Sequence, residues 1–166
     1  MNIYEQALNN RRATWVSVTI FILFFLIIGS GFDFYLGAGP QIPLFTIIAF
    51  FLGAISSCAG FYYGDKLILS STHARELDLN DTKQKQWQNV VEEMSIACGI
   101  PQPKTFIIDD PDPNAFATGR DPGHSSIVVT KGLLESLNRD ELQGVAAHEM
   151  SHVKNLDIRL MLMVAV

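Results

Sequence analysis

Two long stretches without a charge constrain this chain more than anything else in it. Residues 13–32 contain no Asp, Glu, Lys or Arg, and after Asp33 the next charge is Asp65. Each stretch is rich in Ile, Phe, Leu and Val and long enough for a helix to cross a bilayer, which takes about 20 residues. A helix that is apolar all round has no polar face to offer water, and such runs are rare in globular proteins. The spacing predicts two transmembrane helices, over residues 13–32 and 43–63. A cleaved leader fits the first run less well. The run is long for a leader's apolar core, and Gly29-Ser30-Gly31 leads directly into a second span.

Basic residues orient this hairpin. Arg11 and Arg12 precede the first span, Lys66 and Arg75 follow the second, and residues 33–41 between them hold no Lys or Arg. The positive-inside rule therefore places both ends in the cytoplasm. Cys58 and Cys98 have neither the spacing of a metal site nor that of a disulfide framework. A net charge of −5 argues against a nucleic-acid partner.

Past the hairpin the pattern changes from uniform to periodic. Residues 66–77 are expected to continue the second helix into the interface. Asn80-Asp81-Thr82 opens a helix on which Trp87, Val90, Val91, Met94 and Cys98 share one face, and Gly99 with Pro101 closes it. Residues 105–108 and the Ser-Ile-Val-Val-Thr run at 126–130 read as strands. Lys131-Gly132 is a turn, and Leu133, Leu134 and Leu137 mark a short helix. The expected class is α+β. Residues 1–12 form a cytoplasmic segment, 13–64 the hairpin, 65–157 a cytosolic domain, and 158–166 the start of a third transmembrane segment.

His148-Glu149-Met150-Ser151-His152 carries the chemistry. Histidines four apart lie on one helix face, one turn apart, so their ring nitrogens can converge on one ion. Glu149 projects about 100° away, poorly placed as a ligand but able to reach a water bound there. Two imidazoles, a third protein ligand and an open water position make a catalytic zinc site. Leu142, Val145, Ala146 and Val153 give the helix an apolar face, and Asn138 with Glu141 gives it a capping-box start.

With these residues in view, the chain resembles the HtpX family of integral-membrane zinc metalloproteases and, more distantly, the CAAX prenyl proteases. The resemblance rests on the hairpin, on Pro113-Asn114-Ala115-Phe116-Ala117-Thr118-Gly119, on Val128-Val129-Thr130-Lys131-Gly132-Leu133-Leu134, on Asp140-Glu141-Leu142, and on the pentad followed by Asn155 and Asp157. It implies a minimal zincin-like (thermolysin-like) domain, one Zn2+ per subunit held by His148 and His152, and Glu149 as general base. It implies that Asn114, Ala115, Phe116 and Ala117 lie at a sheet edge where a substrate backbone pairs as an added strand. Asp157 resembles the family's acidic residue that orients a ligand histidine. His73 and His124 match no such spacing and read as surface or interface histidines.

The implied activity is hydrolysis of misfolded or membrane polypeptides, linked to stress response, by a multi-pass protein of the cell (inner) membrane whose catalytic domain faces the cytoplasm. The resemblance also implies a third zinc ligand, a glutamate in a Glu-x-x-x-Asp pattern on a later helix, and residues 1–166 contain no convincing substitute. The expectation is therefore a protease domain incomplete at its C-terminus, with little activity of its own. The competing expectation is a non-catalytic, membrane-anchored interaction module. Neither reading specifies an oligomeric state.

Overall fold

The structure is a computed structural model that describes residues 3–36 and 42–165. Residues 37–41, which belong to the connection without Lys or Arg, and Val166 of the last apolar segment lie outside the described residues.

Helix α1 (Ile3–Tyr35) and helix α2 (Leu44–Ser71) form the hairpin. Both are long and apolar enough to cross a membrane. At ~1.5 Å per residue, α1 is longer than the ~30 Å hydrocarbon layer. It starts earlier than the apolar pattern suggested, because no Gly or Pro interrupts residues 3–28. Asn10, Arg11 and Arg12 are therefore helical rather than part of a separate segment.

The one charge between the apolar stretches joins the two helices. Asp33 is buried and accepts hydrogen bonds from Phe45 N (3.0 Å), Thr46 N (2.9 Å) and Thr46 Oγ1 (2.7 Å). The two backbone donors are unpaired amides of the first turn of α2, whose own N-cap is Pro43 and makes no side-chain cap bond. Nearby, a methyl on Gly29 would lie 2.7 Å from Thr46 Cα, so only glycine permits this approach.

Helix α2 stops at Ser71, short of the expected residue 77. His73 takes a left-handed conformation (φ 54°), with His73 N on Ser70 O and Ala74 N on Leu69 O. This is a Schellman-type end with histidine where glycine is usual. The chain then forms strand β1 (Arg75–Glu76), antiparallel to strand β2 (Lys104–Ile108).

Strands β3 (Ala115–Asp121) and β4 (His124–Thr130) complete a four-stranded sheet in the order β1-β2-β4-β3. Strand β4 runs parallel to β2 and antiparallel to β3, which forms the sheet edge. Helices α3 (Thr82–Cys98), α4 (Lys131–Ser136) and α5 (Arg139–Lys154) cover one face. Trp87, Val90 and Val91 of α3 meet Leu142, Ala146 and Met150 of α5 over Ile107, Ile127 and Val129. Helix α6 (Asp157–Ala165) packs against β3, α1 and α2, tying the domain to the hairpin.

Candidate metal centre and substrate edge

The helix carrying the pentad is built locally. Asn138 Oδ1 accepts from Asp140 N (2.9 Å) and Glu141 N (3.1 Å), and Glu141 Oε2 accepts from Asn138 N (2.8 Å). This reciprocal cap satisfies amides that begin the helix. Leu142, Ala146, Met150 and Val153 are fully buried, which fixes the rotation of α5 about its axis. His148 is thereby left exposed and His152 half-buried, while Glu149 is buried under the sheet edge.

The two imidazoles converge. His148 Nε2 and His152 Nε2 lie 3.3 Å apart, with the rings nearly perpendicular at 88°. His152 Nδ1 is 2.8 Å from Asp157 Oδ2. An ionised carboxylate only accepts, so His152 carries a hydrogen on Nδ1, and in the neutral ring Nε2 is then a bare lone pair. A lone pair facing another ring nitrogen at 3.3 Å calls for a proton or a cation between them. Nitrogens at the usual Zn–N length of ~2.0–2.1 Å and this spacing subtend about 105–110°, close to tetrahedral. The pair therefore fits one zinc ion. Among the described residues no group of three His, Cys, Asp or Glu side chains forms around an ion position.

Asp157 reaches back to His152 because α5 ends sharply. Asn155 caps the helix and Leu156 adopts φ 60°, a left-handed turn uncommon outside glycine. Asp157 then opens α6 beside the histidine that lies five residues earlier.

Glu149 is 8% exposed. Burial pushes its pKa above the usual carboxylate value of 4.5, and the nearby His152 and His148 and the backbone N–H of Ala117 only partly offset that. A buried carboxylate biased toward holding a proton beside two convergent imidazoles is the kind of perturbed group found where protons are exchanged.

The Ala117 contact also defines the edge of β3. Asn114 gives its backbone to β4, with Thr130 N on Asn114 O (2.9 Å) and Asn114 N on Thr130 Oγ1 (2.8 Å). In an antiparallel ladder alternate residues turn outward, so Ala115 and Ala117 direct their N–H and C=O groups away from β4. The Ala117 N–H faces Glu149 and the Ala115 groups are turned to the open side. The Asn114 side chain is exposed and Phe116 is half-buried. The loop before β3 is pinned at Gly132, where any Cβ would lie 1.9 Å from Pro111 O. The other two histidines have separate roles: His73 ends α2, and His124 pairs with Asp121 (2.9 Å) on the β3–β4 hairpin.

One participant has no motif to mark it. Asn10, near the start of α1, donates from Nδ2 to Asn155 O (3.0 Å) and to Asp157 Oδ1. No local pattern reveals a partner 147 residues away.

Residues 81–166 match the sequence profile of peptidase family M48. The chain belongs to that family. This M48 chain is 46% identical to the Protease HtpX homolog of Dictyoglomus turgidum over 98% of its own length and 52% of the relative's. It is 42% identical to the Protease HtpX homolog of Caldanaerobacter subterraneus subsp. tengcongensis, over 99% of the chain and 53% of the relative. With the Protease HtpX homolog of Tropheryma whipplei (strain Twist) it shares 45% identity over 86% of the chain and 48% of the relative. The chain thus spans about half the length of the curated relatives it matches.

Proposed function

We propose that this chain supplies the membrane hairpin, the substrate edge and two of three metal ligands of a zinc-dependent endopeptidase. The enzyme acts on misfolded or membrane polypeptides, facing the cytoplasm from a multi-pass position in the cell (inner) membrane. The observation that carries the reading is the convergence of His148 Nε2 and His152 Nε2 at 3.3 Å beside a carboxylate buried under an edge strand.

His148 and His152 would hold one zinc ion per subunit, with the third ligand outside the described residues. When bound, zinc polarises a scissile carbonyl and acidifies water. Glu149 takes a proton from the attacking water and returns it to the departing amine. Asp157 holds His152 in the tautomer whose Nε2 is free to coordinate. Ala115 offers its outward N–H and C=O and Ala117 its outward C=O, with which an extended substrate pairs as an extra strand, and the side chains of Asn114 and Phe116 flank it. The bilayer receives the outward apolar surface of α1 and α2.

The test is Glu149→Gln in a protein of the relatives' full length, with hydrolysis of an unfolded polypeptide and bound zinc both measured. Loss of the base should slow turnover roughly 10²–10⁴-fold while zinc stays bound. Near-wild-type turnover in that variant would refute the assignment. The 166-residue chain alone should bind zinc weakly and cleave little, since two ligands leave the ion under-coordinated.

A further inference from the structure

We infer that Asn10, on the first membrane helix, is a positioning residue for the metal pair and acts through Asp157. The inference rests on the reading of His148 and His152 as ligands. Asp157 is held at both ends: Oδ2 receives the Nδ1–H of His152 at 2.8 Å, and Oδ1 receives the amide of Asn10. A carboxylate held by one oxygen alone can rotate about its last bond. Held by both oxygens, it presents a single acceptor direction to the imidazole.

The orientation of the Asn10 amide follows from its partners. Asn155 O and Asp157 Oδ1 both only accept, so the nitrogen must face them. Asparagine is a poor residue for a helix interior, because its side chain competes with the backbone for hydrogen bonds. At position 10 the competing group is committed instead to the α5–α6 turn. One turn later the buried Thr14 Oγ1 donates to Asn10 O at 2.8 Å, continuing this contact face along α1.

The choice of a neutral donor has a chemical consequence. A lysine or arginine here would draw the charge of Asp157 away from His152. The amide fixes the carboxylate and leaves its charge facing the imidazole. Partners of this outer kind set the tautomer and basicity of a ligand histidine. The zinc helix is thereby registered against the membrane helix by one side chain.

The experiment uses the full chain in detergent micelles, labelled with ¹⁵N-histidine and studied at a pH where the imidazoles are neutral. Metal-free protein reports the His152 tautomer, and titration with Zn2+ alone reports affinity. Wild type should show His152 protonated on Nδ1 only. Asn10→Asp keeps the shape but replaces the donor with an acceptor. It should mix the two tautomers and weaken zinc binding about tenfold, the lower end of the range for outer partners. Asn10→Ala should do the same in the parent, and nothing further in an Asp157→Ala background.

His124, bonded to Asp121 on the distant hairpin, should keep its signal and show that the fold persists. An unchanged tautomer and affinity in both Asn10 variants would overturn the inference, as would losses that add in full to those of Asp157→Ala. His152→Ala is the control for the underlying reading. If it leaves zinc affinity intact, the ligand assignment is what fails, and the tautomer alone then decides on Asn10.

Discussion

The hairpin and the sheet domain use the same apolar residues in opposite directions. Leu23 of α1 is 51% exposed, and Phe24, Ile27, Leu52 and Ile55 likewise point outward. Leu142 of α5 is fully buried, as are Ile127 and Val129 beneath it. In the hairpin, close approach comes from Gly29 and from the buried carboxylate of Asp33, with the large side chains left for lipid. In the domain, large side chains interlock instead. The two regions therefore respond to different losses, and the His148–His152 pair depends on both. His148 and His152 ride on the domain's α5, while the carboxylate bonded to His152 is held from α1.

This contrast breaks most readily by truncating the same residue type in each region. Leu142→Ala should cost about 2–5 kcal/mol, through lost burial and the cavity left behind. Leu23→Ala should change stability little in a bilayer, because lipid fills the space. Chemical denaturation in nanodiscs compares the two, and equal losses would mean that the hairpin's outward face is covered by protein.

A second probe is pH. Glu149 has its folded-state pKa raised above 4.5 by burial, so the metal-free folded state holds more protons than the unfolded state in that window. Stability is then fully present below about 4.5 and declines as pH rises through the folded value. Glu149→Gln should flatten this decline in thermal melts across the weakly acidic range. A variant that declines as steeply as wild type would show that another group is responsible.

The smallest effect concerns helix ends. Helix α5 is capped by its own neighbour Asn138, whereas α2 is capped from another helix by Asp33. Asn138→Ala should cost about 1 kcal/mol, without affecting zinc affinity. A loss of zinc binding in that variant would mean that the start of α5 controls its far end.

The parts legible in the sequence were those with local causes. Missing charges marked both spans, a β-branched run marked β4, and Asn138, Glu141 and Gly99 marked helix ends. The pentad's spacing alone placed two rings on one helix face. Other features depend on the fold. The early stop of α2 was hidden because His73, not glycine, takes the left-handed position and strand pairing claims Arg75 and Glu76. The helical state of Asn10 was obscured by the polar residues around it. Its bond to Asp157 exists only because α6 packs on α1, a contact between opposite ends of the chain. The burial of Glu149 depends equally on where β3 lies.

On the proposed reading, His148 and His152 bind one metal ion while Glu149 does not. Zinc-edge X-ray absorption on the zinc-loaded chain tests it directly. Two imidazole nitrogens should appear at ~2.0–2.1 Å, a signal kept in Glu149→Gln and lost in His152→Ala. A sulfur shell at ~2.3 Å from Cys58 or Cys98, or a spectrum unchanged by His152→Ala, would contradict it.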